Sequence, residues 1–399
     1  MTDIPMQHWS LFQEPPTAGY PPSPEPSEEQ WAVPYGWARV YYATGRDHVT
    51  RPVILADGFG FDASDPDELW HGLENQDFPF ISRLRDNGYD LILVGYDKRS
   101  RRIQDNAQAV IATISRAISE RIGDATLTVG GFSMGGLVTR YALAKLEHDA
   151  IDHQVSTYIS YDSPHRGAWI PLALQKMAHV VAGFAPELSE QINSDAARQL
   201  LWRHTPNLLT KPREDPLRTE FLKELNTYGG WPQRPRLLAV ANGAGDGEPS
   251  EAVAGALALS TENAPDGLST KMWIQDNGEK FHAGWYKLGP LPGYDFYTEN
   301  MPRADSAPGG TLGSFGIAAE NLRDLDYTVE CDYPTINFVP SVSAVSIRDV
   351  GTDADLYLNI DKEPASASDF DEYKLSRTST PHTKMTVELG EWILERLPK

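Results

Sequence analysis

Short, nearly continuous apolar runs alternate with amphipathic stretches along the first part of the chain. The runs "ARVYYATG", "RPVILADGFG", "YDLILVGY", "TLTVGGFS" and "VSTYISYDSP" are rich in Val, Ile, Leu and Tyr, a pattern expected of strands buried on both faces. Between them, "FPFISRLRDNG", the series Ile111, Ile114, Ile118 and Ile122, and "GLVTRYALAKLE" place apolar residues three and four positions apart, which predicts helices. For the isoleucine series, Asp105 or Asn106 is the expected N-cap and Gly123 the expected stop. Strand and helix in alternation imply parallel βαβ units with right-handed crossovers, and so an α/β fold: a three-layer sandwich around a mostly parallel sheet.

The pattern changes after residue 168. "WIPLALQKMAHVVAGFA" and "LRTEFLKELNTYG" predict a helical cap over 168–230. After a further strand in "RPRLLAVANGAGDGE", residues 248–333 read as a β-rich insertion in which "KMWIQDNGEKFHAGWYKLG" forms a hairpin turning at Asn277-Gly278. "TINFVPSVSAVSI" is the next strand, and Met385, Leu389, Trp392, Ile393 and Leu397 trace one face of a terminal helix. Residues 1–35 hold eight prolines and several glutamates, a composition that predicts an arm preceding a single domain over 36–399.

Composition narrows the classes of function. A 399-residue chain with 40% hydrophobic residues is long enough to bury a large core. No apolar run reaches the roughly 18 residues of a membrane span, and the N-terminus lacks the basic start and apolar core of a signal peptide. The expectation is therefore a cytoplasmic protein with no stable membrane insertion. The single cysteine, Cys331, rules out an internal disulfide and a thiolate metal cluster. A formal net charge of -21 repels phosphate backbones, so no nucleic-acid partner is expected. No cofactor or metal is expected either: "DADLYLNID" lacks the glycine and terminal glutamate of a calcium loop, and no phosphate-binding glycine motif occurs. The oligomeric state is not legible in the sequence.

The chemistry centres on Gly131-Phe132-Ser133-Met134-Gly135, a G-x-S-x-G pattern lying between the strand "TLTV" and the helix "GLVTRYALAKLE". In that context the serine sits on a sharp strand-to-helix turn that lifts its hydroxyl clear of the sheet, and glycines are needed where the backbone passes close to its neighbours. A serine hydroxyl attacks poorly unless a base removes its proton and donors stabilise the oxyanion that forms. One donor is expected to be the backbone N–H of Met134; the second, from the loop "ILADGFGFD", is that of Phe59.

The segments "PVILADGFGFD", "GGFSMGGLVTRYAL" and "YDSPHRGAW" resemble the α/β-hydrolase superfamily, and within it bacterial lipases and serine esterases, over about residues 36–170. The resemblance implies the chain order nucleophile, acid, histidine. That order singles out His382, in "TSTPHTKMT", as the base, and Asp246, on the loop after the strand that follows the cap, as the acid, with Asp371 and Asp332 as rivals. Asp162 and His165 are read as structural. Such enzymes often carry a histidine where this chain has Asp57. Trp169, Ile170, Leu172, Leu174 and Met177 either line an acyl pocket or pack as core. The leading expectation is a serine hydrolase cleaving a small-molecule carboxylic ester with a neutral or apolar acyl group. The alternatives are an acyltransferase, a lactonase or thioesterase on the same fold, or a non-catalytic binding protein.

Overall fold

The computed structural model describes residues 11–12, 21–183, 185–262 and 267–399. Its main sheet contains β1 (Trp31–Val33), β2 (Gly36–Tyr41), β3 (Pro52–Ala56), β4 (Asp90–Tyr96), β5 (Leu127–Phe132), β6 (Val155–Tyr161), β7 (Arg236–Ala241) and, late in the chain, β15 (Glu372–Leu375). The strand order is β1-β2-β4-β3-β5-β6-β7-β15. From β4 to β15 every pairing is parallel, while β1 and β2 add an antiparallel edge.

The sheet has two buried faces because alternate residues point to opposite sides. Ile54, Ala56, Ile92, Val94 and Val129 belong to the core shared with helices α3 (Ile103–Glu120) and α4 (Met134–His148). Val53, Leu55, Leu91 and Leu93 pack on the other face with α1 (Pro66–Glu74), α2 (Phe80–Asp86) and the terminal helix Val387–Arg396. These layers make the three-layer α/β sandwich that the alternation of runs predicts.

Residues 168–230 contain α5 (Leu172–Val180), α6 (Pro186–Asn193), α7 (Asp195–Leu200) and α8 (Pro216–Thr227). The stretch 248–333 carries a second, antiparallel sheet of β8 (Leu257–Thr261), β9 (Leu268–Trp273), β10 (Phe281–Leu288), β11 (Tyr294–Thr298) and β13 (Val329–Cys331), in the order β11-β10-β9-β8-β13. Its buried face presents Met272, Tyr286 and Phe296, and the Tyr286 hydroxyl donates to the Ala173 carbonyl of α5 at 2.6 Å. A short pair, β12 (Gly309–Leu312) with β14 (Ile336–Pro340), forms a third, antiparallel unit. Among the described residues no helix is long and apolar enough to cross a membrane.

Several local expectations are corrected. Helix α3 begins after Arg102, with no side-chain cap, and ends at Glu120. Neither Asp105 nor Asn106 is its N-cap, and Ile122 lies beyond its end at 60% exposure. Its buried face runs through Ile103, Ala107, Val110, Ile114 and Ala117, so alanines share the packing that the isoleucine spacing assigned elsewhere. The hairpin of β9 and β10 closes through a longer loop over 274–280 rather than a two-residue turn at Asn277-Gly278. In "TINFVPSVSAVSI" the strand stops at Pro340 and a short helix, Ser341–Ala344, follows. The strand that completes the main sheet is instead β15, a half-buried segment without an apolar run. In the segment assigned to the arm, residues 31–33 form β1, with Trp31 fully buried, and Leu11 and Phe12 are buried as well. Residues 1–10 and 13–20 of the expected arm lie outside the described residues.

Candidate active site

Strand β5 ends at Phe132 and α4 begins at Met134, so a single residue, Ser133, makes the turn between them. Its φ of 52° and ψ of -122° lie where L-residues other than glycine rarely sit, a strain of about 1–3 kcal/mol. The surroundings hold it there. The Ser133 N–H donates to the Tyr161 carbonyl at 2.9 Å, continuing the β5–β6 ladder through the bend. Gly135 lies so close to β3 that a Cβ on it would come within 2.3 Å of the Ala56 carbonyl oxygen. Gly131 is pressed in turn against Gly135: a Cβ on Gly131 would come within 2.4 Å of the Gly135 carbonyl carbon. The glycines are there for close approach, and they let the start of α4 sit directly beneath the serine. As the first residue of that helix, Met134 has an N–H with no intrahelical acceptor.

The loop leaving β3 approaches the serine from the other side. A Cβ on Gly58 would lie 3.3 Å from Ser133 Cβ and 3.9 Å from its Oγ. Asp57 clamps this loop: Oδ1 accepts the Gly58 N–H at 2.7 Å and Oδ2 accepts the Ser64 hydroxyl at 2.6 Å. Ser64 Oγ in turn accepts the Tyr96 N–H at 2.8 Å. Arg99 lies 3.8 Å from the same carboxylate.

His382 comes from the loop between β15 and the terminal helix. Its N–H donates to the Thr311 carbonyl of β12 at 2.8 Å. On either side, Asn242 Nδ2 holds Thr380 Oγ1 and the Lys384 carbonyl, each at 2.9 Å. The Tyr161 hydroxyl also donates to Lys384 O, at 2.7 Å. The imidazole Nδ1 lies 2.6 Å from Asp162 Oδ2. A carboxylate accepts, so Nδ1–H is the donor, and in the neutral imidazole Nε2 then keeps its lone pair. Nε2 is buried and has no hydrogen-bond partner among the described residues.

Asp162 is fully buried, directly after β6, with φ 48°. Its Oδ1 accepts the Asn242 N–H at 3.0 Å, so both carboxylate oxygens are engaged. Because β6 pairs with β5 and Phe132 faces Tyr161 in the register, the next residues, Ser133 and Asp162, leave the same end of neighbouring strands. In parallel sheets that end is where ligands bind.

Ser133 and His382 border one cleft of about 190 Å³. No hydrogen bond links Ser133 Oγ to Nε2 among the described residues; in unliganded sites such bonds are often long until substrate binds. The cleft is walled by Phe12, Phe59, Leu69, Leu73, Phe132 and Phe338, with Asp57, Asp65, Glu68 and Arg99 also on its lining. Burial raises the pKa of the Glu68 carboxyl.

The structure thus gathers Ser133, Phe59 and His382 around one cleft, with Met134 behind the serine as the first residue of α4, but it does not bring Asp246 to His382. The loop after β7 turns away: Gly245 O accepts the Asp361 N–H and Asp246 Oδ1 the Glu248 N–H. Asp246 borders a different cleft, with Glu363 and Glu372. Asp371 is occupied in accepting the Leu237 N–H. Asp162 takes the place at Nδ1 that Asp246 was expected to fill. Its sequence signal was an aspartate immediately after the strand that neighbours the serine's strand. His165 is buried between Ser160 Oγ, 2.7 Å from Nε2, and Arg140, 3.3 Å from Nδ1; burial and Arg140 push its pKa well below the usual value. Trp169, Ile170, Leu172, Leu174 and Met177 are core residues and do not line the cleft.

Neither a protein-family model nor a curated protein matches the chain. Solved structures of bacterial lipases and of esterases do match it, at low identity and partial coverage. Lipase BlEst2 of Bacillus licheniformis in its propeptide form is 17% identical, with a TM-score of 0.34, and the match covers 54% of this chain and 40% of that one. Its mature form is 18% identical, with 56% and 75% covered and a TM-score of 0.33. An esterase of the archaeon Pyrobaculum calidifontis is 15% identical, with 52% and 74% covered and a TM-score of 0.31.

Proposed function

We propose that the protein is a serine hydrolase that cleaves a carboxylic ester of a small molecule through an acyl-enzyme intermediate. The observation that carries this reading is the pairing of His382 Nδ1 with buried Asp162, which leaves Nε2 unprotonated on a residue that borders the same cleft as Ser133. Ser133 on its strained turn acts as a nucleophile elbow. Nε2 removes the hydroxyl proton as Oγ attacks the ester carbonyl; the Met134 and Phe59 N–H groups hold the oxyanion. The imidazolium, stabilised by Asp162, then protonates the departing alkoxide. Water, activated by the same nitrogen, attacks the acyl-serine and releases the acid. The turn beneath Ser133 supports this assignment further, since the N-terminus of α4 favours negative charge at that point.

The test is turnover of p-nitrophenyl acetate and labelling by a fluorophosphonate. Wild type is expected to do both, and Ser133→Ala neither. Absence of labelling together with absence of turnover across short and long acyl esters would instead favour a non-catalytic binding protein.

A further inference from the structure

We propose that Phe12, from the proline-rich segment that precedes the sheet, sets the upper length of the ester the cleft accepts. The inference rests on the ester-hydrolase reading above. Leu11 and Phe12 lie outside every helix and strand, yet they are only 2% and 5% exposed. The Leu11 N–H donates to Gln191 Oε1 of α6 at 3.1 Å, joining this segment to the helices of 168–230. The Phe12 ring packs on Phe59 with centroids 4.6 Å apart and planes tilted by 53°. Phe59 is the residue whose N–H is assigned to the oxyanion, and Phe12 itself borders the cleft together with Ser133 and His382.

Size gives the packing its consequence. At about 190 Å³ the cleft falls below the roughly 300–1,000 Å³ of pockets that take drug-sized ligands, so it suits a short ester. Among its walls, Phe132 ends a central strand and Phe338 belongs to β14, which supports the His382 loop through β12. Among the described residues that line it, Phe12 is the wall contributed from outside the sandwich. Truncating it opens the cleft without altering the strand that bears the serine.

The test compares wild type, Phe12→Ala and Phe12→Trp on p-nitrophenyl acetate, butyrate and octanoate, and on acetates of increasing alcohol length. For Phe12→Ala the octanoate-to-acetate ratio of kcat/KM, or its counterpart in the alcohol series, is expected to rise about tenfold or more, equal to about 1.4 kcal/mol. For Phe12→Trp it is expected to fall. A ratio measured on one preparation is insensitive to the fraction folded, so a destabilised variant still reports. Ratios unchanged within about twofold in both series and both variants, with wild type active on acetate, would overturn this inference alone. A wild type that hydrolyses none of the esters and is not labelled by fluorophosphonate would overturn it together with the hydrolase reading.

Discussion

Replacing Asp162 with asparagine probes the proton arrangement with little change in shape. In the wild-type site Oδ1 accepts the Asn242 N–H at 3.0 Å and Oδ2 accepts His382 Nδ1–H at 2.6 Å. An amide has one oxygen to offer in place of two. The Asn242 N–H is a donor only, so it retains the oxygen, and the amide NH2 turns toward His382. Nδ1 must then accept, which moves the imidazole proton to Nε2, where the base needs its lone pair. A wrong tautomer in a serine–histidine–carboxylate triad lowers kcat by about 10⁴, equal to about 5.5 kcal/mol of transition-state stabilisation. Asp246→Asn, at the other cleft, is expected to leave kcat within about twofold of wild type. The assay is steady-state hydrolysis of p-nitrophenyl acetate alongside the rate of fluorophosphonate labelling, with thermal unfolding as the check on folding. A folded Asp162→Asn variant retaining more than about a tenth of wild-type kcat, or an Asp246→Asn variant that loses as much, would mean that Asp162 does not set the His382 tautomer.

Two further outcomes follow from buried carboxylates. Asp57→Ala leaves the Gly58 N–H and the Ser64 hydroxyl without their acceptor and loosens the loop that carries Phe59; kcat is expected to fall about tenfold to a hundredfold, less than the 10²–10³ for outright loss of a donor, with KM little changed. A rise in KM at unchanged kcat would show that the loop serves ground-state binding instead. Asp305, fully buried and bonded to Trp169 Nε1 and the Gln275 N–H, has a pKa raised by burial from 3.8 to about 6. Folded protein therefore keeps a proton that unfolded chain releases, and this contribution to stability is lost as pH rises from about 4 to about 6, by about 3 kcal/mol. Urea unfolding should show wild type losing ground relative to Asp305→Asn across that window; a difference independent of pH would contradict it.

What was legible in the sequence was local. The turn at Ser133 could be read because its requirements, a strand before, a helix after and small residues at Gly131 and Gly135, fall within a dozen positions. His382 was singled out only through the chain order that the resemblance implies, and it borders the same cleft as Ser133. Asp162 could not be placed that way, since its role depends on β6 lying beside β5 and on a loop 220 residues later reaching back to it. Strand β15 was missed because a half-buried edge strand need not be apolar. Phe12 was hidden in a segment whose composition supplies no core of its own; the ring it packs on, Phe59, is distant in sequence.

A serine hydrolase forms a covalent bond through one hydroxyl. Brief exposure of the protein to a fluorophosphonate, followed by peptide mass spectrometry, measures it directly. A single adduct is expected on the peptide carrying Ser133, formed far more slowly in Asp162→Asn. An adduct on another residue, or none on a folded protein, would contradict it.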